Sequence, residues 1–157
     1  MVDGRGTDGL YLAKIDALGI SGEGCSEAEV VALEQAVGLS LPPAFRAYLR
    51  RCGKVPDEVF VGSDCRYGHL LHLREYAGRL LQENDRPFKL PKEAFVFLMH
   101  QGYQFLYFLA DGKSPDPAVH HYLEGEEGPE QMSDSFTAYL AAAKAGGAGP
   151  SVGDPEA

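Results

Sequence analysis

Apolar and polar positions along this chain change rhythm from one segment to the next, and each rhythm predicts an element. Tyr11, Ile15 and Leu18 recur at i, i+4 and i+7, the stripe of a short amphipathic helix from Leu10 to Leu18 that Gly19 closes. Ile20 to Cys25 is a Gly-rich loop without the Lys-Ser/Thr ending of a phosphate-binding loop. Ser26 followed three residues later by Glu29 is a capping box, and Val30, Leu33 and Val37 line the second helix before Gly38 stops it. Pro42-Pro43 suits the first turn of a third helix, in which Phe45, Tyr48, Leu49 and Cys52 form the buried stripe and Gly53 the end. Arg46, Arg50 and Arg51 fall off that stripe. Glu58 to Val61 reads as a short strand, Ser63 to Arg66 as a polar loop, and His69 to Leu71 as extended. Leu73, Tyr76, Ala77 and Leu80 predict a fourth helix ending near Asn84. Arg86-Pro87 and Leu90-Pro91 mark a connector, because a proline disfavours helix in the residue before it.

The most apolar and aromatic stretch, Ala94 to Leu109, splits at Gln101-Gly102 into two strand-like runs and predicts a hairpin. A two-residue turn there would set His100 against Tyr103, Met99 against Gln104, Leu98 against Phe105, Phe97 against Leu106, Val96 against Tyr107 and Phe95 against Phe108. Directly opposed residues share a face. One face then carries Phe95, Phe97, Met99, Leu106 and Phe108 with Gln104, and must be buried. The other carries Val96, Leu98 and Phe105 with His100, Tyr103 and Tyr107, apolar bodies with polar tips. A helix is excluded by the lack of a stripe near period 3.6 and by Gly102 in mid-run.

Asp111-Gly112 and Pro115-Asp116-Pro117 are turn and loop. In Ala118 to Leu123, Val119, His121 and Leu123 alternate with His120 and Tyr122. Glu124 to Glu130 is an acidic loop, and Ser133 or Asp134 caps a last helix whose buried edge is Phe136, Tyr139 and Leu140. The order of elements predicts an α+β fold: an antiparallel sheet with its central hairpin at about 94–109, and helices packed on one face. Residues 1–9 are expected to be a flexible start, 10–145 one domain, and 146–157 a disordered Gly, Pro, Ser and Ala tail.

Charge narrows the function. With 23 acidic against 14 basic side chains the 157-residue chain carries −9, which opposes binding to nucleic acid or to an anionic membrane and suits either a basic protein partner or simply solubility. No apolar run approaches the ~20 residues of a membrane span and the start is no signal peptide, so a cytoplasmic protein is expected. The three cysteines, Cys25, Cys52 and Cys65, are too few and too separated for a disulfide framework.

Candidate chemistry is thin. Cys65, His69 and His72 offer thiolate and imidazole for zinc, but a fourth ligand is missing and the spacing is not a recurrent one. Cys52 belongs to a core stripe, and Cys25, one residue before a helix N-cap, has no sequence-local base. A hydrolase built on Cys25 or Cys65 with His120 or His121 is accordingly the weaker reading. The Glu23, Glu27, Glu29 and Glu124, Glu126, Glu127 groups lie in loops or a first helical turn, where carboxylates are solvated rather than acid–base groups. No catalytic residue, metal or cofactor is expected. The polar-tipped sheet face is the better candidate. If the 118–123 strand joins the sheet, His120 and Tyr122 stand beside His100, Tyr103 and Tyr107, bordered by Glu124, Glu126 and Glu127, as a protein-binding surface. The competing reading is that Leu70 to Leu81, or the tail, covers that face.

Three motifs resemble the SUKH superfamily: Glu29 to Glu34 leading to Val37-Gly38; Leu41-Pro42-Pro43-Ala44-Phe45 with Tyr48-Leu49; and Ser135-Phe136 with Tyr139-Leu140 after a strand. The likeness runs from about Ile15 to Ala145. It departs at Cys52-Gly53, where the family often has Asn-Gly, and in having no Trp. The resemblance implies a non-enzymatic interaction module, either a bacterial immunity protein that neutralises a polymorphic or contact-dependent toxin, or a regulatory domain of the fungal cell-wall type without a toxin. A cognate, basic toxin domain is the expected partner, and the chain itself is expected to be a monomer or weak dimer.

Overall fold

The capping signals do set the first elements. The structure is a computed structural model that describes residues 4–56, 60 and 63–145, and helix α1 (Gly4–Ala17) opens it, well before the expected start at Leu10. Strand β1 (Gly22–Glu23), helices α2 (Glu27–Val37) and α3 (Pro43–Cys52), and strands β2 (Val55–Pro56) and β3 (Ser63–Asp64) follow. Next come α4 (Tyr67–Leu70), α5 (Leu73–Glu83), β4 (Ala94–His100), β5 (Gln104–Leu109), β6 (Val119–Leu123), β7 (Glu130–Ser133) and α6 (Phe136–Lys144). The Ser26 hydroxyl accepts from the Glu29 amide at 3.1 Å and the Glu29 carboxylate from the Ser26 amide at 2.8 Å, the full capping box. Gly38 ends α2 at φ 73°, in the left-handed region where a side chain is strained. Arg46 bridges Glu27 and Glu34, and Arg50 adds a 3.0 Å pair to Glu27, so the polar sides of α2 and α3 are tied together.

The fold is α+β. Strands β3 to β7 form an antiparallel meander in chain order, and β1 pairs with β2 apart from it. The 94–109 hairpin is its centre. Phe95↔Phe108 and Val96↔Tyr107 pair as expected. Nearer the tip the register slips by one, to Leu98↔Leu106, Met99↔Phe105 and His100↔Gln104. The turn has three residues, Gln101 to Tyr103, with Gln101 (φ 52°) and Gly102 (φ 79°) left-handed and the Tyr103 amide donating to the His100 carbonyl at 3.2 Å. A bulge at Phe97 absorbs the extra residue. The slip moves Met99 to the second face and brings Leu98 and His100 onto the first, correcting the faces read from the sequence.

The first face packs on α3 and α6. Phe45 of α3 has ring centroids 5.1–6.0 Å from Tyr48, Phe95, Phe97, Phe108 and Phe136, which puts it at the middle of the core. The second face is not open. Leu73, Ala77, Leu80 and Leu81 of α5 are buried, Leu80 and Met99 line one depression, and Phe88 of the connector faces Tyr107 at 6.5 Å. The helices expected on one face are thus joined by a second helical cover, because Val96, Met99, Phe105 and Tyr107 are as apolar in body as the first face and need one.

Several local expectations change. His69 to Leu71 is not extended: α4 turns there, burying Leu70. Ser63-Asp64, read as loop, pairs with His100 and Met99, and Glu130 to Ser133 adds strand β7. Ser135, not Ser133 or Asp134, caps α6 by accepting from the Ala138 amide at 3.1 Å. The strand expected at Glu58 to Val61 falls mostly outside the described residues; Phe60 is a buried turn residue at φ 64°. The expected tail, 146–157, also lies outside them.

Truncating the hub ring removes contacts to both α6 and the hairpin. Phe45→Ala is expected to lower the unfolding free energy by about 3–5 kcal/mol, whereas Tyr76→Ala on the exposed side of α5 should change it by less than about 0.5 kcal/mol. Urea denaturation followed by circular dichroism measures both.

Candidate protein-interaction surface

Antiparallel pairing brings the β4–β5 turn and the β6–β7 turn to the same end of the sheet, since Gln104 opposes Leu123. The Glu124 amide donates to the Tyr103 carbonyl at 2.8 Å, and the Gly125 amide to the Asn84 side chain at 3.1 Å, so the acidic turn is fixed to both the hairpin tip and the end of α5. Tyr103 is half-buried, Glu124 and Glu127 are exposed, and Glu126 is partly so. Tyr103 and Glu124 meet at this end of the sheet, with Glu126 and Glu127 in the same turn, as a rim.

The other expected residues sit beneath the surface. Tyr122 is fully buried against Phe105, and Tyr107 is 4% exposed, stacked on half-buried His120 at 5.1 Å. Phe88 of the connector faces Tyr107 and Phe105 packs on Tyr122, and both tyrosines are buried, so a partner docking on this conformation touches neither. His100 is on the first face, where its Nδ1 and the Ser63 hydroxyl are 2.9 Å apart and its ring meets Tyr103 edge-on. Gln104, fully buried, holds His121 Nε2 at 2.6 Å. The expected cluster therefore divides into an exposed acidic rim with Tyr103 and a buried aromatic support.

The candidate nucleophiles are silent for a physical reason. Burial pushes the Cys25 thiol up to about 11, Glu29 adding to it and Lys54 opposing it, and pushes Cys52 and Cys65 up to about 12. A thiol is a nucleophile only as thiolate, so none is activated near neutral pH. Cys65 is buried while His69 and His72 are exposed, which separates the one metal-like cluster seen in the sequence. Among the described residues no three His, Cys, Asp or Glu side chains stand together as a metal-holding group, and no helix is long and apolar enough to cross a membrane.

The sequence reading passed over a groove on the outer side of α5, lined in part by Arg74, Arg79, Arg86 and Lys89. Its signal was present as Arg74, Arg79, Arg86, Lys89 and Lys92, interspersed with Glu75, Glu83 and Asp85, in a segment read only as helix and connector.

Two measurements follow from these environments. A thiol-specific chromogenic reagent at about pH 8 is expected to label no cysteine rapidly in the folded protein and all three in denaturant, since the native thiols are both buried and protonated. Burial holds the imidazoles of His120 and His121 below their ordinary 6.5, with Glu130 opposing it at His121. The unfolded chain then binds protons more readily than the folded one. The stability these residues contribute is complete above pH 6.5 and declines as the pH falls through the unfolded value toward the folded ones. Denaturant titrations at about pH 7 and pH 5 should show a smaller loss in His120→Gln/His121→Gln than in the natural chain.

The model of the SMI1 / KNR4 family (SUKH-1) matches residues 24–142. Comparison with curated proteins returns no match. The matched span starts just before α2, takes in the aromatic hub on α3 and the whole five-stranded meander, and ends inside α6. The chain belongs to the SMI1 / KNR4 family (SUKH-1), a family of protein-interaction and immunity-type modules.

Proposed function

We propose that this chain is an immunity protein, which binds the toxin domain of a bacterial polymorphic or contact-dependent system in the cytoplasm and blocks it by contact, with no chemistry of its own. The observation that carries this reading is the family match across residues 24–142. Its contact surface is the rim of Tyr103, Glu124, Glu126 and Glu127, with the His100 ring against Tyr103, while Tyr107, His120 and Tyr122 stand further along the same strands as its support. A concentrated acidic rim on a chain of charge −9 suits a basic toxin, because complementary potentials accelerate encounter and penalise wrong partners. A tyrosine at the centre of such a rim supplies contact area and a hydrogen-bonding tip at little conformational cost.

The test begins with the neighbouring genes. A large secreted protein encoded beside this chain is the candidate toxin, and its C-terminal domain is expressed in a bacterial host with and without the chain. Growth arrest by the domain alone, relief by the chain and a co-purifying complex are the expected results. Tyr103→Ala combined with Glu124→Lys, Glu126→Lys and Glu127→Lys should then weaken the complex by at least about 1.4 kcal/mol, a tenfold change in Kd, with most of the charge effect in the association rate. If no neighbouring toxin exists and nothing is relieved, the regulatory interaction domain of the same fold replaces this reading.

A further inference from the structure

On this acidic molecule one groove is cationic. Arg74 and Arg79 of α5 and Arg86 and Lys89 of the connector line a concavity of about 390 Å³, with Glu75 the one carboxylate among its lining residues. Leu81, Phe88 and Leu90 supply its apolar part. Half-buried Phe88 faces Tyr107 at 6.5 Å, which seats the connector side of the groove on the sheet.

The cations differ in how far they are already engaged. Arg74 donates to the Ala94 carbonyl at 2.8 Å and to the Leu90 carbonyl at 3.4 Å, which makes it a strut between α5 and the connector. Arg79 pairs with Glu75 at 2.7 Å, but both side chains are about 60% exposed, and such a pair is readily exchanged for another carboxylate. Arg86 uses its Nε on the Asn84 carbonyl at 2.8 Å. Among the described residues neither Arg86 nor Lys89 forms a salt bridge.

We infer that this groove docks a short acidic, partly apolar segment of a protein partner, with carboxylates on Arg79, Arg86 and Lys89 and an apolar side chain against Phe88 and Leu90. Charge complementarity favours a carboxylate-rich occupant, because guanidinium binds carboxylate bidentately and the exposed Arg79–Glu75 pair is the one ion pair among these cations. The apolar lining favours a peptide over a bare anion, and the volume holds a few side chains rather than a folded domain. The acidic turn pinned to Asn84 borders the same end of α5 and repels any anion that runs on past the groove, so the occupant is short. This site goes beyond the toxin-binding rim: it has the opposite sign and lies on different residues.

The probe is a fluorescein-labelled peptide of alternating Asp or Glu with Leu and Phe, titrated with the purified full chain and read by anisotropy. One control replaces its acids with Lys, and another replaces Leu and Phe with Ser. Saturable binding of the acidic-apolar peptide alone is expected, weakened at least about tenfold by Arg86→Glu/Lys89→Glu and by raised salt. Because Arg86 also holds Asn84, Arg79→Glu/Lys89→Glu, which removes no backbone bond, is the second variant; circular dichroism checks that each is folded. The inference is overturned by no saturable binding, by equal affinity for the folded charge-reversed variants, or by equal affinity for the Ser control. Tighter binding of a single-stranded oligonucleotide than of the peptide, lost in the same variants, would overturn it too. So would a dimer of the peptide-free chain that those variants dissociate, because the groove would then be filled by a second copy. The assay contains no toxin, so its failure is distinct from failure of the immunity reading.

Discussion

A hairpin buried on both faces is the constraint from which the rest of this molecule follows. All seven residues of β4 and all of β5 except Leu109 are buried. Antiparallel strands commonly leave one face to water, and their sequences then alternate between apolar and polar. Here Phe95, Phe97, Leu106 and Phe108 on one side and Val96, Met99, Phe105 and Tyr107 on the other all need apolar cover. α3 and α6 supply the first cover, and α5 with the connector the second. Phe45 matters most on the first side because one ring touches the helix layer, both central strands and α6 together. Aromatic pairs add about 0.5–1.5 kcal/mol each beyond their area, so this cluster binds layers as well as filling space.

Double burial also moves recognition off the central hairpin. With both of its faces closed, a partner must dock elsewhere, and the turns at the sheet's end and the outer side of α5 are two described surfaces open to it. The two adjoin, since the acidic turn is bonded to Tyr103 on one side and Asn84 on the other. Backbone anchoring of the acidic turn sets its chain path before any partner arrives, which lowers the backbone ordering cost of association. An acidic rim beside a basic groove is also a demanding pattern to match, and charge juxtaposed with like charge rejects poor partners.

The interior polar groups belong to architecture. Ser63 and His100 join β3 to β4, Gln104 and His121 join β5 to β6, and Asp116 binds both the Thr137 amide and hydroxyl to seat α6. Each spans two elements that the chain reaches at different times. Buried polar pairs of this kind fix which elements meet, since a mismatch strands a donor or acceptor without water.

Helices α2, α3 and α5, the hairpin, the 119–123 strand and the α+β class were all readable in the sequence. Capping boxes, proline at a first helical turn and apolar spacing are local causes with local effects: Ser26 bonds Glu29 three residues away whatever else the chain does. The acidic turn and the cysteine of the α3 stripe were equally plain. What tertiary structure alone decided was the bulge at Phe97, the three-residue turn and the cover on the second face. Moving the register by one changes nothing in composition, yet it carries His100 to one face and Met99 to the other, and only packing against α3, α6 and α5 selects between the alternatives. The same holds for Tyr107 and Tyr122. Their polar tips look like surface in the sequence, but exposure is a property of what folds over a residue. Periodicity records that a face is apolar and left Leu70 to Leu81 as one of two candidate covers for it; only packing puts α5 there.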